Sequence, residues 1–365
     1  MPEDASPPKP LQLRVRARLP GMLLALAIGT AGGLLFYWLR FPLAWMIGAM
    51  VFVTVAASAG VPVGMSYRLR SVMIAVLGVM LGSAFTPEIV GNMARWSGSI
   101  AALFGYVAIG TALCMVYYRR VAGYDPVTAY FAAAPGGLSE MILMGHAMGG
   151  DERAISLSHG ARILLIVLIV PFGFRWLGGY EPGAPMGAPA SAVPLADLAV
   201  LTACGVVGFF LARLARLPSA ALVGPMFLSA GVHLAGLTDS RPPAEAIALA
   251  QIVIGTGVGC RFAGIAPLRI VKALGLAVGA TLILLAVSAA FAAGIGPAVG
   301  MPLPGVFLAF APGGLAEMSL IALALGVDVA YVSTHHVVRI FIIVTLAPLA
   351  FRLLRRRHPP PPPPS

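Results

Sequence analysis

Eight ionisable side chains recur as four matched pairs inside otherwise apolar sequence, and their types suit the handling of a proton, a cation or an anion. Ala134 to Pro171 reads APGGLSEMILMGHAMGGDERAISLSHGARILLIVLIVP, and Ala311 to Pro348 reads APGGLAEMSLIALALGVDVAYVSTHHVVRIFIIVTLAP. Eighteen of these 38 aligned positions are identical, at a spacing of 177 residues. They include Pro135/Pro312, Gly136-Gly137/Gly313-Gly314, Glu140/Glu317, Asp151/Asp328, His159/His336 and Arg162/Arg339. Proline removes a backbone donor and two glycines weaken a helix, so each block should break at Ala-Pro-Gly-Gly. The following Leu-(Ser/Ala)-Glu-Met places Glu140 and Glu317 in the first turn of a half-helix. There the helix dipole favours a carboxylate, which can take a proton or sodium ion or cap its own helix. The free N–H groups of the same turn can equally hold an anion.

Each following helix carries a polar stripe at i, i+3 and i+6: Ser156, His159 and Arg162 in one copy, Ser333, His336 and Arg339 in the other. A charged arginine within a membrane costs at least ~2.5 kcal/mol on insertion scales, so both guanidiniums should face the interior and find partners. Glu140, Glu317, Asp151 and Asp328 are the expected partners. Two readings stand side by side: a central ligand site shared by the copies, or polar contacts that glue helices together. Asp151 and Asp328 also have the placement of N-caps of the stripe-bearing helices. Arg261 lacks a counterpart, since Ala84 holds the matched position, and so can break the symmetry of a shared site. Gly78, Gly82, Gly255, Gly257 and Gly259 make the third helix of each copy short or interrupted, which marks a binding region or close helix packing.

The elements that must position these groups are membrane helices. With 59% apolar residues, 10% charged residues and a mean hydropathy of +0.94, the chain departs from soluble composition, which is about one quarter charged. Apolar stretches near the ~20 residues that cross a bilayer recur throughout. The net charge of +11 resides in short basic clusters between apolar segments, the pattern of cytoplasmic loops, and nucleic acid is not an expected partner. Cys114, Cys204 and Cys260 all fall in apolar segments, as buried thiols rather than a disulfide framework. Arg14, Arg16 and Arg18 precede a run too long for a signal peptide, with a counterpart at Leu195 to Arg213, so it reads as a retained first helix.

The duplication reaches upstream, for Pro42 and Gly48 match Pro218 and Gly224, and Gly78, Gly82 and Phe85 match Gly255, Gly259 and Phe262. The expected organisation is a basic cytoplasmic N-terminus at 1–18, membrane repeat 1 at 19–177, a Gly/Pro-rich linker at 178–194, membrane repeat 2 at 195–354, and a basic, polyproline disordered tail at 355–365. Each repeat offers five spans and one broken segment, Val127 to Gly149 or Pro302 to Gly326. If both broken segments are re-entrant and the N-terminus is cytoplasmic, 17 Lys and Arg lie inside against four outside, Arg40, Arg95, Arg175 and Arg241. If both span, the split is 14 against seven, so the positive-inside rule favours re-entry. Five spans per repeat is an odd number and inverts one repeat relative to the other. The expected fold is an all-α polytopic membrane protein: two inverted repeats, ten helices, two re-entrant hairpins meeting at mid-membrane, and both termini cytoplasmic in the bacterial inner membrane.

The two APGGL(S/A)EM segments, each followed by Asp and His-x-x-Arg, together with the half-length duplication, resemble the bacterial AbrB-type integral membrane family. The resemblance covers about Leu19 to Leu354. It implies a duplicated inner-membrane protein with a transport or regulatory role and supplies no substrate and no catalytic residues. Members carry labels such as ammonia monooxygenase or regulator of gene expression, and the small soluble DNA-binding regulator of the same name is a different protein. Copper or iron oxidation needs convergent His or carboxylate ligands, and only His335-His336 are adjacent, so no metal, cofactor or enzymatic activity is expected. The leading expectation is a secondary transporter for a small, anionic organic solute, coupled to protons or sodium through Glu140, Glu317 or the histidines. Its site comprises Pro135, Gly136, Gly137, Glu140, His159, Arg162 and their partners Pro312, Gly313, Gly314, Glu317, His336 and Arg339, with Asp151, Asp328 and Arg261 secondary. The alternatives are a membrane sensor that regulates gene expression without transport, and a subunit of a larger complex; oligomers are compatible with each.

Overall fold

The computed structural model describes residues 19–178 and 186–357. The basic N-terminus at 1–18, residues 179–185 of the expected linker and the tail from His358 onward lie outside the described residues. The first half contains α1 (Leu19–Trp38), α2 (Ala44–Ser58), α3 (Tyr67–Gly82), a short α4 (Pro87–Asn92), α5 (Ser97–Val121), α6 (Pro126–Ala133), α7 (Leu138–Ala147) and α8 (Glu152–Gly178). The second half repeats the order with α9 (Leu195–Leu214), α10 (Ala220–Leu234), α11 (Ala244–Gly259), α12 (Pro267–Val299), α13 (Leu303–Phe310), α14 (Leu315–Ala324) and α15 (Val329–Arg357). The fold is all-α and polytopic: among the described residues, seven helices are long and apolar enough to cross a bilayer, namely α1, α5 with its preceding turn, α8, α9, α11 with its following turn, α12 and α15.

Ten spans were expected, and the difference lies in α2, α10 and α3, which have 15, 15 and 16 residues. At 1.5 Å per residue these are roughly 22–24 Å long, short of a ~30 Å hydrocarbon core. The tight turns around Pro42 and Pro218 delay the start of α2 and α10. Their middles are buried against protein, with Met46, Ile47, Met50 and Val53 in α2 and Val223 and Met226 in α10 enclosed.

Duplication is written into the backbone itself. Among the described residues, four non-glycine residues have positive φ: Arg40 (53°), Leu43 (47°), Arg216 (54°) and Ser219 (51°). They form two matched pairs, each 176 residues apart and each flanking Pro42 or Pro218. A non-glycine residue at φ > 0 is uncommon, so its recurrence at equivalent sites shows that both halves build one kind of turn.

The halves pack by exchange. Helix α3 lies on α10 and α11 lies on α2, each through the same glycine positions. A Cβ at Gly78 would strike the Leu222 carbonyl oxygen, and one at Gly255 would strike the Met46 carbonyl oxygen. Both α3 and α11 run unbroken through these glycines, which serve close approach of two backbones rather than interruption of the helix. Equivalent helices α5 and α12 also pair, and they run antiparallel. Gly105 faces Phe291, Gly110 faces Leu284, and the Cys114 thiol reaches the Ala280 carbonyl at 3.6 Å.

Both broken segments are hairpins. Gly145 of α7 packs against Phe131 of α6, Gly150 lies against Val127, and the Asp151 N–H donates to Thr128 Oγ1 at 2.8 Å. The chain therefore leaves this hairpin beside the point where it came in. In the second half Val327, just past α14, lies against Gly305 in the first turn of α13. Hairpin α6–α7 follows the C-terminal end of α5, and hairpin α13–α14 follows the C-terminal end of α12. Because α5 and α12 are antiparallel, the hairpins insert from opposite ends of that pair.

The glycine contacts yield a test. Gly78→Leu should lower the stability of detergent-purified protein by about 1–3 kcal/mol, the usual range for overpacking. Gly275→Leu, at an exposed α12 position with open space around it, should leave the unfolding temperature unchanged.

Candidate functional site

Each hairpin break begins with a missing hydrogen bond. In α6 the natural i→i−4 donor to the Phe131 carbonyl is residue 135, and in α13 the donor to Leu308 is residue 312. Both are proline and have no N–H to give. Histidine supplies the lost donor: His159 Nε2 lies 2.8 Å from the Phe131 oxygen, and His336 Nε2 lies 2.9 Å from the Leu308 oxygen. The remaining orphan carbonyls take arginine. Arg162 donates to Ala132, Ala133 and Ala134 at 3.3–3.4 Å, and Arg339 donates to Ala311 and Gly313 at 2.6 Å. Each arginine also meets its own histidine, with Nη2 at 2.8 Å from Nδ1 of His159 or His336.

These contacts fix the tautomer. Arginine only donates and a carbonyl only accepts, so Nδ1 must accept and Nε2 must carry the hydrogen. His159 and His336 are therefore neutral, with neither ring nitrogen left for a further proton. All four side chains are buried, at 0% exposure for both histidines and 2% for both arginines. The expectation that Glu140, Glu317, Asp151 or Asp328 would pair with these arginines is corrected: backbone carbonyls hydrogen-bond the guanidiniums, because the breaks leave acceptors closer than any carboxylate.

Asp151 and Asp328 cap helices. Asp151 Oδ1 accepts from the N–H groups of Arg153 and Ala154 at 2.8 and 3.1 Å, and Asp328 Oδ1 accepts from Tyr331 at 2.9 Å. The adjacent His335 is committed elsewhere, to the Tyr331 carbonyl and to Ser99 Oγ, both at 2.8 Å. No group of three or more His, Cys, Asp or Glu among the described residues is arranged to hold a metal.

Past each break, Gly137 and Gly314 are the N-caps of α7 and α14, and Glu140 and Glu317 stand at the third helical position. Each carboxylate folds back onto its cap glycine, so a Cβ at 137 or 314 would collide with its Oε2. The glycines are thus required by the glutamates as well as by the break. The copies differ in surroundings: α14 is buried from Leu315 to Ala322, with Glu317 only 7% exposed, whereas α7 presents Leu143 and His146 outward.

The two hairpin tips meet at a cavity of about 470 Å³. Ten of the twelve primary candidates line it: Gly136, Gly137, Glu140, His159, Arg162, Pro312, Gly313, Gly314, Glu317 and Arg339. Pro135 and His336 stand behind the wall, and Arg261 joins the lining. Asp151 and Asp328 are not part of it, because capping holds them at the outer ends of their helices. Arg70, Arg213, Tyr67, Ser71, Ser139 and Ser219 complete the polar lining and escaped the sequence reading. Arg70 belongs to the 17 basic residues expected at the inner face, yet it lies in the first turn of α3 and lines the cavity. Only its place one turn ahead of an apolar run hinted at this. Five arginines thus face two glutamates, with the exposed Tyr67 and Arg213 at the mouth.

The family model described as "Transition state regulatory protein AbrB" matches residues 45–355. The chain belongs to the AbrB family. Among its relatives is "Uncharacterized protein YhjN" of Bacillus subtilis (strain 168), 26% identical over 90% of this chain and 92% of that protein. Another is "Putative regulator AbrB" of Escherichia coli (strain K12), 24% identical over 90% of this chain and 94% of that protein.

The capping geometry ranks two substitutions. Arg339→Leu should destabilise the protein by roughly 2–4 kcal/mol, because it strands buried carbonyls that now hold short, charge-assisted bonds. Arg162→Leu, removing longer bonds, should lower the unfolding temperature by less. Thermal unfolding in detergent measures both.

Proposed function

We propose that this protein is a secondary transporter of the bacterial inner membrane that carries a small organic anion through the cavity between the hairpin tips. The observation that carries this reading is the cavity itself, built jointly by two hairpins from opposite ends and lined by five arginines against two glutamates. Helix N-termini at α7 and α14 add favourable potential for an anion. Non-helical backbone at membrane depth belongs where it lines a cavity, and a site at the interface of inverted repeats suits alternating access.

In this reading the halves are inverted repeats, as the antiparallel pairing of α5 and α12 supports, and both termini are cytoplasmic, as the distribution of Lys and Arg supports. The lipid bilayer is the surrounding partner. Glu140 and Glu317 are the groups for a coupling proton or sodium ion, since the neutral histidines have both ring nitrogens engaged. The chemistry is transport without an enzymatic step. A sensor that regulates gene expression is the second reading, favoured by the regulatory wording of the family description and of the Escherichia coli relative's name.

Purified protein in liposomes separates the two. Transport predicts saturable uptake of an organic anion, abolished by Glu317→Gln; saturable binding with no flux across a panel of anions would support the sensor. Orientation has its own check: single cysteines replacing Arg213 and Arg269 should react with an impermeant thiol reagent only from the cytoplasmic side.

A further inference from the structure

Four of the cavity's arginines carry a buried N–H with no hydrogen-bond partner: Arg70 Nε, Arg162 Nε, Arg261 Nη1 and Arg339 Nε. Arg162 and Arg339 are otherwise spent on the carbonyls of the breaks. Arg70 and Arg261 have no such duty, and neither has an equivalent in the other half: Ile247 holds the place matched to Arg70, and Ala84 that matched to Arg261. Each half has thus contributed one unmatched arginine to a shared space.

The two converge on one face of α11. A Cβ placed on Gly257 would come within 3.2 Å of Arg70 Cδ and 3.5 Å of its Nε, so the Arg70 side chain crosses α11 at Gly257. Arg261 follows four residues later, one turn along on the same side. Its stem lies near Gly160 of α8, beside His159. Arg70 and Arg261 repel one another electrostatically, and both are within reach of the Glu317 charge at the start of α14. Two like charges held together out of bulk water call for an anion between them. Glu317 supplies charge without a hydrogen bond to either guanidinium, because its carboxylate is folded back on Gly314.

We propose that Arg70 and Arg261, with the N-terminal turn of α14, form the subsite that receives the carboxylate of the transported solute. A guanidinium offers a planar fork that matches a carboxylate, and two forks from different helices fix its position and orientation. Ile74, Ile254 and Val258 line the same cavity and provide an apolar wall for the body of the solute. The site is one-sided, because the unmatched arginines gather around the second hairpin's Glu317. In the empty protein Glu317 partly neutralises the pair and therefore competes with the incoming anion.

This assignment rests on the transport reading for the role of the solute, and its test is independent of flux. Detergent-purified full-length protein is titrated with acetate, succinate, inorganic phosphate or chloride at constant ionic strength, and thermal unfolding reports binding by mass action. A carboxylate should stabilise the wild type above chloride. Arg70→Gln and Arg261→Gln should each raise its half-saturating concentration roughly tenfold or more, as expected for a lost charged hydrogen bond. Arg261→Lys, which keeps the charge and loses the fork, covers the case in which the glutamine variants do not fold, and it should weaken binding less. Glu317→Gln should lower the half-saturating concentration, and exposed Arg153→Gln should leave it unchanged.

Equal stabilisation by carboxylates and chloride, or carboxylate binding indifferent to Arg70 and Arg261, would overturn the subsite. Preference for phosphate over every carboxylate would overturn the assignment of ligand class. Liposome uptake distinguishes the two levels: binding that depends on the arginines without flux sinks transport and keeps the subsite, and flux indifferent to both arginines does the reverse.

Discussion

A proline that cannot donate and a histidine that donates in its place are the interaction on which this structure depends. Pro135 and Pro312 end α6 and α13 deep inside the protein, where an unpaired carbonyl costs about 1–3 kcal/mol. His159 and His336 restore the missing bond, and Arg162 and Arg339 take the next carbonyls in line. Two helix C-termini are thereby closed by side chains from the long helices α8 and α15. The negative end of each half-helix dipole also meets a guanidinium, so geometry and electrostatics agree. Without this closure a hairpin tip could not remain at membrane depth, and no cavity would exist between the tips.

The same closure explains why the cavity is basic. An arginine bound to neutral carbonyls leaves its positive charge uncompensated, whereas one paired with a carboxylate would form a net-neutral pair. The breaks thus convert two structural arginines into a standing positive potential, and Arg70, Arg213 and Arg261 add to it. Glu140 and Glu317 offset part of this charge from the opposite ends of the breaks. The polar residues that read as either glue or site do hold the hairpins shut, and they also set the sign of the space between them.

Much of this was legible in the sequence. Composition and the repeat of Ala-Pro-Gly-Gly, Glu, Asp and His-x-x-Arg marked an all-α membrane protein with two broken segments, and ten of the twelve primary candidates do line one cavity. The partners of Arg162 and Arg339 were not legible, because a sequence displays carboxylates as anions but does not display orphaned carbonyls as acceptors. The glycines of α3 and α11 read equally as interruptions or as close helix packing, for spacing alone cannot tell a kink from a helix crossing, and the structure shows the crossing. Arg70 was missed since an arginine one turn inside a helix reads the same whether it points to water or to a cavity. Asp151 and Asp328, matched as strictly as the histidines, turned out to cap helices, which shows that duplication copies scaffolding as readily as chemistry.

The two arginine closures differ in tightness, 2.6 Å at Arg339 against 3.3–3.4 Å at Arg162, and the tighter one belongs to the hairpin whose inner arm α14 is buried. Descendants of one ancestral segment thus clasp their breaks unequally, and a symmetric ancestry ends in an asymmetric frame.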